Sequence, residues 1–173
     1  MWAEVNDKKA GYIFFALINL FSLFLAFSPV NAAPSSFIAE IVAVIDGDTI
    51  KILKSRQVIT VRLDGIDAPD KEQRYAEEAK SFIESIAFGK KVVVNWRGDD
   101  QNKMVLAEVI LDDGRSLNRE VVKAGFAWWY RNHSEDLSLW RLEGQAREKK
   151  LGLWLGEGPI PPWEFREGKR SKR

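Results

Sequence analysis

The folded part of the chain begins with segments in which apolar and polar residues alternate, a period of two that is typical of β-strands. Residues 37–45 and 49–53 are rich in β-branched and apolar side chains, and residues 46–48, Asp-Gly-Asp, predict a tight hairpin between them. In a third predicted strand, residues 58–64, every second residue is apolar. Arg62 belongs to the other face of this strand, where a charged group can reach solvent or a ligand.

The apolar period then lengthens to that of an amphipathic α-helix over residues 71–88. Two more predicted strands follow at residues 92–96 and 105–111, and two further helices are predicted over residues 117–124 and 135–150. These elements predict an α+β domain of five strands and three helices. Five is the strand number of a small closed Greek-key barrel.

The first 32 residues have a different pattern from the rest of the chain. Lys8 and Lys9 precede an apolar run over residues 10–27, followed by small residues, which predicts a secretory signal peptide cleaved near Ala33. A run of about 18 apolar residues also approaches the length that crosses a bilayer, so an uncleaved membrane anchor is the alternative. We expect a periplasmic or secreted domain, or a membrane-anchored domain that lies outside the cytoplasm.

Composition adds little to this picture, because 173 residues with 46% hydrophobic content and a net charge of +1 are ordinary for one globular domain. We assign the domain to residues 33–164 and a basic tail to residues 165–173. The tail is interpreted as a solvated end or as a loose phosphate contact. Without cysteine, the domain depends on core burial rather than on disulfides.

Two acidic turns flank the strand that carries Arg62. Residues 46–49 read Asp-Gly-Asp-Thr, and residues 64–70 read Asp-Gly-Ile-Asp-Ala-Pro-Asp. Carboxylate oxygens are ligands that hard cations prefer, and a guanidinium holds two phosphate oxygens at once. The turns therefore predict a site for a metal ion and a phosphate, the alternative being that these aspartates only cap turns.

Four motifs together resemble the thermonuclease, or staphylococcal-nuclease-like, family over residues 37–164: DGDT at 46–49, RLDGIDAP at 62–69, GLW at 152–154 and PPWE at 161–164. The resemblance implies a five-stranded OB-fold β-barrel with three helices. It also implies a Ca²⁺-dependent phosphodiesterase that cuts DNA and RNA. We expect single strands to be preferred, the protein to be a monomer, and a membrane to be a partner only if the N-terminal segment is uncleaved.

The resemblance also implies roles for individual residues. Asp48 and Asp67 correspond to the metal carboxylates, and the backbone carbonyl of Ala68 corresponds to a third metal ligand. Arg62 resembles the arginine that binds the substrate phosphate and acts in catalysis. Tyr130 lies where the family places an aromatic residue near the nucleotide.

Aromatic residues are frequent in the second half of the chain. We interpret most of the tryptophans, including Trp128, Trp140 and Trp154, as packing residues. His133 is the only histidine, so it cannot build a zinc site or a catalytic triad with a second one, and we interpret it as a surface loop residue.

Two departures from the family pattern bear on activity. Asp70 stands where the family has a glutamate taken as a general base, so its carboxylate is one methylene shorter. Met104 stands where the family has a second catalytic arginine; Lys103 is the candidate replacement, although neighbouring residues of a strand point to opposite faces. We therefore predict an exported nuclease with weakened activity. The alternatives are a non-catalytic nucleic-acid-binding module and a membrane-tethered structural domain.

Overall fold

The structure is a computed structural model that describes residues 35–100, 104–156 and 158–171. Its strands are β1 (Ser36–Val44), β2 (Thr49–Lys54), β3 (Gln57–Leu63), β4 (Ile66–Asp67), β5 (Lys91–Asp99), β6 (Val105–Ile110) and β7 (Trp128–Trp129). Its helices are α1 (Ala76–Ala87), α2 (Leu117–Lys123), α3 (Leu137–Glu148) and α4 (Pro162–Ser171), with a 3-10 helix at Gly152–Leu155.

Five strands close into a barrel in the order β1-β2-β3-β6-β5, with β5 pairing back to β1. All neighbouring strands of the barrel are antiparallel except β3 and β6, which run parallel. Helix α1 and strand β5 lie between these two strands in the chain and form the long connection that a parallel pair needs. The predicted five-stranded barrel is confirmed, and its mixed strand order is consistent with an OB-like α+β fold.

The prediction of three helices is wrong for the part of the chain that the structure describes, which contains four α-helices. The additional helix, α4, begins at the proline-rich stretch before the predicted basic tail and continues through that tail to Ser171. Proline is tolerated in the first turn of a helix, where its missing N–H would have no intrahelical partner, and Pro162 is the first residue of α4. The predicted boundary between domain and tail, at residues 164 and 165, falls within this helix.

The predicted signal or anchor segment, residues 1–32, lies outside the described residues, as does Lys103. Within residues 35–100, 104–156 and 158–171, no helix is both long enough and apolar enough to cross a membrane.

The core follows the alternation seen in the sequence. Ile50 and Ile52 of β2 and Val61 and Leu63 of β3 point into the barrel and are fully buried. Burial of an aliphatic side chain of this size contributes about 1.5–3 kcal/mol, so the barrel interior is the main source of stability.

A second cluster, which we call the aromatic cluster, lies outside the barrel and contains Trp128, Ala146, Leu153 and Trp154. Trp163 of α4 packs against it, so this cluster holds the C-terminal helix on the domain. The interpretation of Trp128 and Trp154 as packing residues is confirmed, but it is wrong for Trp140, which is 56% exposed on α3. Helix α3 contributes Ala146 to the cluster, whereas Trp140 lies on the exposed face of the same helix.

Candidate active site

The tight turn between β1 and β2 places Asp48 in the site. A Cβ atom on Gly47 would lie 2.7 Å from the Cβ atoms of both Ala68 and Ala79, so only glycine lets this turn approach them. As a result the backbone N–H of Ala68 donates a hydrogen bond to Asp48 Oδ2 at 2.9 Å, and the Thr49 hydroxyl donates to Asp48 Oδ1 at 2.8 Å. Asp48 is thereby buried and fixed in orientation.

A contact distant in sequence places Asp67. The two-residue strand β4 pairs with β7, with Asp67 opposite Trp128 and Ile66 opposite Trp129. Asp67 is fully buried as a consequence. Buried carboxylates require hydrogen-bonding or charged partners, and two arginines supply them here.

Arg62 joins the two aspartates. Its Nη2 atom donates hydrogen bonds to Asp48 Oδ2 at 3.3 Å and to Asp67 Oδ1 at 2.9 Å. The structure therefore brings Asp48, Arg62 and Asp67 together, with Ala68 adjacent in the chain. One cationic nitrogen already lies between the two carboxylates, which shows that the space between them suits positive charge.

Arg166 of α4 is the site residue that the sequence interpretation missed. Its Nη2 donates to Asp67 Oδ2 at 2.6 Å, and its Nη1 donates to Asp70 Oδ1 at 3.0 Å. Burial lowers the pKa of Arg166, but the hydrogen bond to Asp67 and the two nearby carboxylates raise it, and the net shift is upward. The basic character of the tail was the only available signal, and it could not show which arginine reaches the site.

The charge balance of the site leaves room for a divalent cation. Burial and then repulsion from Asp48 raise the pKa of Asp46 to about 6, so this carboxyl is mostly ionised at neutral pH. The site then contains four aspartates and two arginines, a formal excess of two negative charges. Two of these aspartates, Asp48 and Asp67, are brought together by Arg62, and their carboxylates are oxygen donors of the kind that calcium prefers.

The two central carboxylates therefore fit a calcium ion by chemistry and by charge. Among the described residues, no group of three or more Asp, Glu, His or Cys side chains is arranged to hold a metal. Backbone carbonyl or water oxygens would have to complete the coordination of a cation held by Asp48 and Asp67.

Position 104 immediately precedes β6, and continuing the alternation of that strand by one residue places it on the side of the barrel that carries Arg62. Arg62 of β3 is in register with Leu106 of β6, and side chains two residues apart along a strand share a face. Met104 is half-buried and its backbone N–H donates to Asp100 Oδ1 at 2.9 Å. An arginine at this position would project from the face that carries Arg62, whereas methionine offers no donor. Lys103, the predicted replacement, stays a prediction.

Tyr130 lies next to the site, and its ring contacts two neighbouring aromatic rings. Its ring stacks on that of Trp163 with centroids 5.5 Å apart, and the ring of His133 lies 4.3 Å away on a tilted plane. His133 is exposed on a surface loop, as expected, although it is also part of this stack. The predicted contact of Tyr130 with a nucleotide is not tested by this geometry.

The structure thus combines a closed mixed barrel with a cluster of buried aspartates that is bridged by two arginines. A family profile described as staphylococcal nuclease homologue matches residues 60–156. The chain belongs to this family, and the predicted relationship is confirmed. The matched residues include Arg62, Asp67 and Asp70, whereas Asp48 and Arg166 lie on either side of them.

Individual relatives support the assignment of this chain to the family. An uncharacterized endonuclease of Escherichia coli is 39% identical over 129 residues, which are 75% of this chain and 84% of the relative. An uncharacterized endonuclease of Haemophilus influenzae is 34% identical over 151 residues, covering 86% and 84% of the two chains. A micrococcal nuclease of Shigella flexneri is 31% identical over 147 residues, covering 79% and 84%. The family and these relatives support nuclease activity on a nucleic acid substrate.

Gly47→Ala should impair the site without touching a charged group. The added Cβ forces the turn away from Ala68 and Ala79 by several tenths of an ångström, which displaces Asp48 from Asp67. Displacements of about 1 Å in active sites can cost about 10²-fold in rate, so we expect a loss on the order of 10-fold in cleavage. Gly144→Ala is the matched control, because a Cβ there meets nothing within 4 Å. Equal cleavage by the two variants would contradict the role assigned to the turn.

Proposed function

We propose that this protein is an exported, calcium-dependent nuclease that hydrolyses phosphodiester bonds of DNA and RNA, with a preference for single strands. The observation that carries the proposal is the position of Arg62 Nη2 between the carboxylates of Asp48 and Asp67. Phosphodiester hydrolysis is accelerated by a cation and by hydrogen-bond donors that stabilise the charge developing on the phosphate oxygens. This cluster offers the oxygen ligands for the first and the guanidinium for the second.

In this proposal Asp48, Asp67 and the backbone carbonyl of Ala68 hold the calcium ion. When bound, calcium supplies Lewis-acid neutralisation of charge on the phosphate. Arg62 binds the non-bridging phosphate oxygens through its planar fork, and its side chain is 24% exposed, so part of it is open to a substrate. These donors act on charge that grows as the attacking oxygen adds to phosphorus.

Asp70 is the residue that we assign to the attacking water. Its side chain is 31% exposed and reaches the cluster through Arg166 Nη1, so it lies at the open edge of the site. There its carboxylate accepts a hydrogen bond from water and orients it. The shorter side chain places the water differently from a glutamate, which supports a reduced rate compared with relatives that carry one.

The preference for single strands is supported by the aromatic residues beside the site. Tyr130 and Trp163 form a stacked pair next to Arg166, and an unpaired base can extend such a stack. A base held in a duplex offers no free ring face. Export is supported by the apolar sequence of residues 10–27, which lie outside the described residues.

Cleavage assays with calcium and with a chelator test the proposal. Purified protein without residues 1–32 is incubated with plasmid DNA, single-stranded DNA and single-stranded RNA, in calcium and in EGTA. We expect cleavage in calcium, faster on single strands, and none in EGTA. Absence of calcium-dependent cleavage would contradict the enzyme assignment.

A catalytically impaired binding module is the second candidate function, and Met104 favours it, because one donor to the transition state is missing at that position. Retarded migration of single-stranded DNA in a gel, without cleavage in calcium, would support this candidate.

Export is tested separately by the mass of the protein recovered from its host, where we expect the chain to begin near Ala33. A recovered protein that retains residues 1–32 would contradict signal cleavage.

A further inference from the structure

We propose that Arg166 is the second phosphate-binding arginine of this site and takes the place that Met104 leaves without a donor. The inference rests on the proposed nuclease function and deepens it. It assigns a catalytic contact to the C-terminal helix α4, which the sequence interpretation treated as the start of a tail.

The hydrogen bonds of Arg166 place it opposite Arg62 on one carboxylate. Arg62 donates to Asp67 Oδ1 at 2.9 Å, whereas Arg166 donates to Asp67 Oδ2 at 2.6 Å and, at the longer distance of 3.4 Å, also to Oδ1. Arg166 also reaches Asp70 at 3.0 Å. The two guanidiniums therefore flank Asp67, and Arg166 lies between the proposed metal ligand and the proposed water-binding residue.

The helix that carries Arg166 is fixed on the domain. Trp163 packs against the aromatic cluster and stacks on Tyr130, and Pro162 is buried. This packing lies three to four residues from Arg166, which is one helical turn, so the backbone under the arginine is held in place. Such pre-organisation distinguishes Arg166 from a mobile basic tail, because little conformational entropy is lost when the guanidinium binds a ligand.

The guanidiniums keep open surface for an anion. The side chain of Arg166 is 33% exposed and that of Arg62 is 24% exposed, whereas the carboxylate between them is 1% exposed. A cation held by Asp48 and Asp67 would compete with both arginines for the Asp67 carboxylate, while Arg166 would keep its contact with Asp70. A phosphate supplies new acceptors to both, and planar forks from two directions suit its tetrahedral oxygens.

The assignment also explains how the site works without an arginine at position 104. Position 104 belongs to the β6 side of the rim, and Arg166 approaches from a helix beyond the residues matched by the family profile. In the proposal a guanidinium from either element serves the same phosphate. An arginine introduced at position 104 should therefore replace the one on α4.

The test uses Arg166→Ala, Arg166→Lys and the double variant Arg166→Ala/Met104→Arg. Glu167→Ala is the matched control, since Glu167 is exposed on the same helix. Cleavage of a single-stranded oligonucleotide is measured in calcium. Binding of thymidine 5′-monophosphate in calcium, which offers a phosphate but no internucleotide diester, is measured by calorimetry. Thermal melting shows whether each variant is folded.

For Arg166→Ala we expect cleavage to fall by on the order of 10-fold to 10²-fold, with weaker binding of the nucleotide. The lysine variant, which keeps the charge without the fork, should recover part of the binding. The double variant should recover at least a tenth of the wild-type rate. Glu167→Ala should match the wild type in both assays.

Three results would overturn the proposal. Faster cleavage by Arg166→Ala would show that the arginine blocks the site, and unchanged cleavage would show that it has no part in catalysis. Lost cleavage with unchanged nucleotide binding and no recovery by Met104→Arg would show a purely structural role. If the wild type itself does not cleave, the proposed nuclease function fails; if the wild type cleaves and only Arg166 proves dispensable, this inference alone fails.

Discussion

Replacing Arg62 with alanine is expected to lower cleavage of single-stranded DNA by about 10²–10³-fold. The guanidinium contacts both Asp48 and Asp67, at 3.3 and 2.9 Å, and in the proposed mechanism its donors act on charge that develops only in the transition state. Because Arg166 still contacts Asp67, the variant should remain folded. The value of kcat/KM on an oligonucleotide measures the effect, and thermal melting checks the fold.

Two companion variants make the Arg62 result specific. Arg62→Lys keeps the positive charge but not the planar fork, so it should recover only a small part of the lost rate. Arg115→Ala removes an exposed arginine that pairs with Asp113 and Glu120, away from the site, and should leave cleavage unchanged. Wild-type cleavage by Arg62→Ala would mean that the phosphate is bound elsewhere.

The second large effect is expected on stability, from Asn118→Ala. Asn118 is buried in α2 and connects the two parallel strands of the barrel. Its Oδ1 accepts from the N–H of Val109 at 3.1 Å, and its Nδ2 donates to the carbonyls of Asp64 at 2.9 Å and Ala107 at 3.1 Å. Loss of these three hydrogen bonds among buried groups should lower the free energy of unfolding by about 2–4 kcal/mol.

The control for Asn118 uses a side chain of nearly the same shape. Asn118→Asp keeps the acceptor for Val109 but turns an unprotonated oxygen toward the carbonyls of Asp64 and Ala107. We expect it to be at least as destabilising as alanine at neutral pH and to recover at acidic pH, where a protonated carboxyl donates again. Urea unfolding at the two pH values measures this difference. An aspartate variant as stable as the wild type at neutral pH would contradict the role assigned to the amide donors.

The barrel could be predicted because its signals are local. Alternation along β2 and β3 reflects which side chains face the interior, and the Asp-Gly-Asp turn reflects the geometry that a tight hairpin demands. The fourth helix could not be predicted in the same way. Two prolines before Trp163 indicate an extended segment, and only the packing of Trp163 on the aromatic cluster favours a helix there.

The same distinction between local and distant signals applies to the residues of the candidate site. Asp48, Arg62 and Asp67 were found from the sequence because each belongs to a turn or strand whose pattern marks it. Arg166 was not found, since 99 residues separate it from Asp67 and no periodicity connects them.

The amino-acid sequence by itself determined the five strands of the barrel, the polar position of Arg62 and the acidic turns of the proposed cation site, because hydrophobic period and turn chemistry act over a few residues. Only the tertiary structure decided that β4 pairs with β7 to bury Asp67 and that α4 brings Arg166 onto the same carboxylate. Those contacts depend on how distant segments pack, and packing energy is shared by many residues that carry no local signal.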